Sequence, residues 1–301
     1  MAGAVARIAG TSIHPDAAIG TVRLTVGDLS RSRSFYEAAI GLRAAEREDG
    51  SLALGGGGQH PLIELHGDPS ARAIDRHAPG LYHLAILVPS RVDLAWTLTR
   101  LIHTGWPLGG AADHLVSEAL YLSDPDGNGI EIYRDRPREQ WPYVGGELEM
   151  GTLPLDLDDL LDELAWAEAY ARKPTEMPTQ MPVETKIGHV HLQVAELVQA
   201  DAFYHGALGF DVTARGYHGA LFLSAGGYHH HIGLNTWHSA GAPPPPPRSV
   251  GLRSFEVQLP DAAELDRALT RVRAAGIEVG STEGRALIRD PSGTGLVLCT
   301  V

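Results

Sequence analysis

The sequence predicts an α+β fold built from one short module used four times. Three observations predict it. GLYHLAILVPSR, starting at Gly80, matches GLRSFEVQLPDA, starting at Gly251, and DPDGNGIEIY, starting at Asp124, matches DPSGTGLVLC, starting at Asp290. A second pair of phrases, IGTVRLTV from Ile19 and IGHVHLQV from Ile187, is followed by SFYEAAIGL and AFYHGALGF. Each copy also carries the same order of signals: an alternating strand, a capped helix, a glycine-marked turn, then more strands. The units alternate as A-B-A-B, so the chain reads as a duplicated pair.

In the first unit Val22, Leu24 and Val26 alternate with Thr21, Arg23 and Thr25, a period-2 strand with one apolar face. Ser30 is placed to cap the helix that follows, with Leu29, Phe35, Tyr36 and Ile40 on its buried face. Gly41 stands where that helix should stop. The third unit repeats this, with a strand over 189–194 and a helix running to Leu208 before Gly209. In the second and fourth units the opening strand ends at Pro89 or Pro260, and the helix runs to Gly105 or Gly276. The turns at Asp124 and Asp290 lead into a last strand, with Pro and Gly at turn positions. The modules span 17–68, 80–135, 186–237 and 249–301. They divide the chain into an N-terminal half, 1–140, a connector, 141–182, and a C-terminal half, 183–301. The connector carries a helix in LDLDDLLDELAWAEAYA, with Asp156 or Asp158 near its start, ended by Pro174, Pro178 and Pro182. The proline run 243–247 reads as a spacer between the third and fourth units.

The chain has 301 residues, 44% of them hydrophobic, enough for a core and for about two domains. Its net charge of −13 argues against nucleic acid and anionic membranes as partners. No run approaches the ~18 apolar residues of a membrane span, and the N-terminal stretch lacks an apolar signal core. The single cysteine, Cys299, excludes a disulfide framework and fits a reducing cytoplasm. A homo-oligomer is left open.

The repeat is asymmetric in the residue types that bind metals. The second unit has His83 and Glu131 where the fourth has Ser254 and Val297, and the third has His189 where the first has Thr21. Alternation sharpens this. Leu84 and Ile86, Ile130 and Ile132, and Val190 and Leu192 should face helices, which leaves His83, Glu131 and His189 on the opposite faces. Two histidines and one carboxylate with open positions form the facial triad of non-haem ferrous oxygenases, although the same ligand types suit manganese, zinc or nickel. The triad forms only if the second unit packs on the third and the first on the fourth.

On GLYHLAIL, IGHVHLQV, GGYHHHIGLNTW, the HPD at His14 and above all the segment 117–141, the chain resembles the vicinal oxygen chelate superfamily (glyoxalase, bleomycin resistance, dioxygenase). Within it, the chain is most similar to the CatE-like catechol 2,3-dioxygenases. The resemblance implies four βαβββ modules forming two cup-shaped pseudo-barrels. It implies an extradiol dioxygenase that opens a catechol-type ring beside its hydroxyls with O2, using Fe(II), or Mn(II) on the same triad. The metal ligands it implies are His83, Glu131 and His189. Tyr121 would hydrogen-bond a substrate oxygen and His114 would lie near the substrate. One of the histidines 229–231 would act as acid–base. Alternation favours His229 and His231, and motif matching favours His230; the site residues are therefore His230, His231, Tyr121 and His114. In the commonest family arrangement the site lies wholly in the C-terminal pair, and this chain departs from that. The rival readings are a glyoxalase-like metal-dependent isomerase or lyase, and a metal-free binding protein of the resistance type.

Overall fold

The computed structural model describes residues 12–58, 60–171 and 176–301. Residues 1–11 of the N-terminal half and Pro174 of the connector lie outside the described residues.

Two curled sheets carry the fold, one of eight strands and one of nine among the described residues. Each sheet is nucleated by two opening strands with identical design. In the nine-stranded sheet, Gly80–Leu87 of the second unit pairs antiparallel with Lys186–Gln193 of the third, placing His83 opposite His191 and Leu84 opposite Val190. In the eight-stranded sheet, Ala18–Val26 of the first unit pairs antiparallel with Gly251–Leu259 of the fourth. The pairing is therefore crossed, and each sheet draws one unit from each half of the chain. Closing strands flank the central pairs in parallel: Gly129–Asp135 beside Gly80–Leu87, and Ile232–Asn235 beside Lys186–Gln193. On the other sheet Ile63–Gly67 and Gly295–Thr300 take the same places.

The helices lie against the apolar faces that alternation predicts. Val22, Leu24, Leu84, Ile86, Val190, Leu192, Phe255 and Val257 are fully buried in one continuous core. In the first unit the cap is Asp28 rather than Ser30. The Asp28 carboxylate accepts the Arg31 N–H at 2.9 Å, and the helix Leu29–Phe35 begins one residue before Ser30. Ser30 is inside the first turn, so its hydroxyl has no cap to make. Both A-type helices finish as wide π-turns, Tyr36–Ile40 and Ala202–Ala207. Gly41 and Gly105 end their helices in the left-handed region, at φ 88° and 66°, where a side chain would be strained. In the connector, Asp156 accepts the N–H groups of Asp158 and Asp159 at the start of Leu157–Ala171.

The recurring phrases also lock the units to each other. The Tyr36 hydroxyl donates to Asp124 at 3.2 Å, and Tyr204 donates to Asp290 at 3.0 Å. Each aspartate also accepts two backbone N–H groups of its own turn, from Asp126 and Asn128 or from Ser292 and Thr294. One buried tyrosine thus fastens each A-type helix to the turn of the B-type unit that follows. The proline run is more than a spacer, because Pro244, Pro245, Pro246 and Pro247 line the large cavity described below.

Candidate metal centre

Three strands of the nine-stranded sheet converge on one buried point. His83 comes from Gly80–Leu87, Glu131 from Gly129–Asp135 and His189 from Lys186–Gln193. One potential ligand atom from each lies within 4.8 Å of the others, and no other such group of three occurs among the described residues. His83 Nε2 is 2.9 Å and His189 Nε2 3.1 Å from the same oxygen, Glu131 Oε2. Exposure is 6%, 3% and 1% for His83, Glu131 and His189.

Burial alone would push the Glu131 carboxyl up. The close approach of His189 and His83, with a hydrogen bond from His189, outweighs it and holds Glu131 well below the usual carboxylate range. Burial lowers His189 to about 4 despite the attraction of Glu131, so its imidazole is neutral. A carboxylate and a neutral imidazole are the ligating forms. His83 Nε2 has no aligned hydrogen-bond partner although it is buried, and a divalent cation between the three side chains would satisfy it. The residues fit a metal ion.

Around the triad the cup is built from the same alternation. Tyr121, directly opposite Glu131 in the sheet register, and His114 both line the cavity. His114 Nδ1 donates to the Gly151 carbonyl at 2.7 Å, so its Nε2 accepts the Tyr121 O–H at 2.6 Å. Burial, then the nearby Glu131 charge, raises the Tyr121 phenol well above its usual range, which keeps it a neutral hydroxyl.

The triple histidine resolves into three different environments. His230 lines the cavity, with its ring 4.1 Å from that of His189. His229 is fully buried behind it: its Nε2 is 2.9 Å from Asp135 Oδ1, and its Nδ1 is 2.8 Å from His230 Nδ1. His231 does not line the cavity. It packs by Phe210 and Tyr228 and accepts the Ala225 N–H through Nδ1. Burial lowers it to about 3, so it is a neutral packing residue. The strand begins only at Ile232, and bends at His229 and His231 break the alternation that would have aimed His229 and His231 inward.

Asp135 fixes the proton positions in this chain of rings. A carboxylate only accepts, so His229 Nε2 carries its proton and His229 Nδ1 is an acceptor. His230 Nδ1 then donates to it, which leaves the lone pair of His230 on Nε2. Asp135 shares a strand face with Tyr133 and Glu131, two and four residues away, so alternation held the signal for it. Tyr133 donates to Tyr228, which donates to Asp135. The approach is so close that a Cβ on Gly188 would lie 1.7 Å from the Tyr133 hydroxyl, which makes Gly188 obligatory beside His189. Missed altogether was the aromatic rim: Tyr82 and Trp237 stand 5.4 Å apart at the cavity wall, against His191.

The positions equivalent to the triad in the eight-stranded sheet hold no ligands, yet that cup is not vacant of charge. Arg23 occupies the place of His191 in the repeat. Its Nη2 is 2.8 Å from Glu256 and its Nε 3.6 Å from Glu64, while Arg47 and His66 also approach Glu64 and Arg285 approaches Glu256.

Fold and site together define a cup-shaped metalloprotein of paired modules. The model of the Glyoxalase/Bleomycin resistance protein/Dioxygenase superfamily matches residues 18–132 and 186–298, and the chain belongs to that superfamily. It is 45% identical over 285 residues to catechol-2,3-dioxygenase of Bacillus subtilis (strain 168), covering 93% of this chain and 96% of the relative. It is 27% identical over 129 residues to biphenyl-2,3-diol 1,2-dioxygenase 3 of Rhodococcus globerulus, covering 41% of this chain and 68% of the relative. Glyoxalase I from Zea mays shares the fold, with a TM-score of 0.55 at 16% identity over 94% of this chain and 92% of the other. No helix among the described residues is long and apolar enough to cross a membrane.

Proposed function

We propose that this protein is an extradiol dioxygenase that opens a catechol-type aromatic ring beside its vicinal hydroxyls with O2. The observation that carries the reading is the buried His83–Glu131–His189 triad facing a cavity that also holds Tyr121, His114 and His230. The 45% identity to a catechol-2,3-dioxygenase supports it. The metal is assigned as ferrous iron, with manganese accepted by the same ligands. Bound there, the metal supplies Lewis-acid and redox chemistry toward a vicinal diol and dioxygen.

The protein's own groups do the rest. The Tyr121 O–H donates a hydrogen bond to His114 Nε2, so the lone pairs of its oxygen are turned to a substrate hydroxyl. His230 Nε2 accepts a proton from the diol and later returns it, with His229 and Asp135 holding its tautomer. Burial first, then the neighbouring rings of His189 and His229, keeps His230 neutral. The modules 17–68, 80–135, 186–237 and 249–301 and the connector 141–182 are the proposed units of this architecture. The reducing cytoplasm is its proposed setting.

Metal analysis of freshly purified protein and oxygen uptake with catechol test the reading. Iron together with stoichiometric oxygen consumption is expected. Zinc or nickel without oxygen uptake would overturn it in favour of an isomerase. His230→Ala should lower kcat by ~100- to 10,000-fold, the usual worth of a general base, with the metal retained. A His231→Ala variant of comparable loss would reverse the assignment between the two.

A further inference from the structure

The cavity is much larger than a dihydroxybenzene ring requires. Its volume is about 1340 Å³, beyond the ~300–1,000 Å³ of pockets that enclose drug-sized ligands. His83 and Glu131 of the triad line one part of it. Another part passes the proline run and reaches the eight-stranded sheet, where Leu252, Arg253, Leu287 and Arg289 line it. Arg253 stands where the repeat has Tyr82 in the other cup.

The charges along this wall are sorted. Arg248 is paired with Asp68 at 2.9 Å, and Arg23 with Glu256 at 2.8 Å. Glu131 belongs to the triad, and Glu283 pairs with Arg285 at 2.6 Å. Arg76 and Arg253 form no ion pair among the described residues, and Arg253 reaches only the Thr25 hydroxyl, at 3.5 Å. Arg289 spends one N–H on the Gly293 carbonyl at 2.9 Å. The one remaining lining carboxylate is Asp75, whose Oδ1 accepts the His77 N–H. A chain of net charge −13 thus keeps uncompensated positive charge at the remote end of its cavity. Arg76, Arg253 and Arg289 are exposed at the cavity's mouth, where positive charge without an ion-pair partner attracts an anionic ligand.

We infer that the substrate is a vicinal diol bearing a carboxylate on an arm that reaches Arg76 and Arg253. This rests on the ring-cleavage reading of the same site. Between head and tail, Ile74 and the prolines give the arm an apolar path.

The test uses the metal-loaded protein and two probes, a vicinal dihydroxyphenylpropionate and its primary amide. Their dissociation constants are measured without oxygen, and their oxygen uptake afterwards. The acid should bind about tenfold more tightly than the amide at low ionic strength. That ratio should shrink toward one in concentrated salt and in the Arg76→Gln/Arg253→Gln double variant. Equal affinity for acid and amide overturns the inference, as does a ratio that the double variant leaves in place. Acid-selective binding without oxygen uptake by either compound overturns the ring-cleavage reading and leaves the charge preference standing. Binding of neither overturns both.

Discussion

Glu131→Gln should strip the protein of its metal and cut oxygen uptake with catechol by on the order of a thousandfold or more, about 4 kcal/mol of barrier. The carboxylate is the anionic member of the triad, and it is 3% exposed, with both histidines on one of its oxygens. Glutamine keeps the shape and removes the charge that holds a divalent cation against two neutral imidazoles. Metal content per chain and oxygen-electrode rates check this, with circular dichroism to confirm that the variant folds. A variant that keeps both its metal and its rate would show that another set of residues holds the ion.

The second large effect belongs to the other sheet and concerns stability. Arg23→Ala should cost about 3–5 kcal/mol in denaturant unfolding, because it leaves Glu64 and Glu256 buried without their shared partner. Their side chains are 1% and 5% exposed, and that of Arg23 is 9% exposed. Adding Glu64→Gln and Glu256→Gln to the variant should recover part of the loss, since neutral amides need no cation. An Arg23→Ala protein as stable as the parent would deny the network its role. Acid gives a second reading. The hydrogen bond from His66, helped by Arg23, lowers the Glu64 carboxyl, and burial of Glu256 is outweighed by its bond to Arg23. Folded values below the ordinary 4.5 mean that this stabilisation is complete above about pH 4.5 and is lost as pH falls through the lowered values. The parent should therefore lose stability more steeply than Arg23→Ala below that pH.

The two sheets show how one module was put to two uses. In one cup a metal site is formed by His83, Glu131 and His189. In the other, a guanidinium built into the chain neutralises the buried carboxylates, so that cup is stable without an ion. This difference was half legible. The absence of ligands at Thr21, Ser254 and Val297 can be read directly. The pairing of Arg23 with Glu256 cannot, since they are separated by most of the chain.

The sequence by itself determined the apolar faces of the strands, the glycine helix ends and the residue types of the buried His83–Glu131–His189 group. All of these rest on local rules: a period of two along a strand, and a left-handed position that glycine accepts. Only the tertiary structure decided which strands pair. The four opening strands have the same apolar face and the same free edge, so nothing local distinguishes one partner from another. The crossed pairing, set across the whole length of the chain, is what brings His83 to His189. The triple histidine was decided at the same level. Alternation holds only while the chain is extended, and the bends before Ile232 turned His230 to the cavity and His231 away from it.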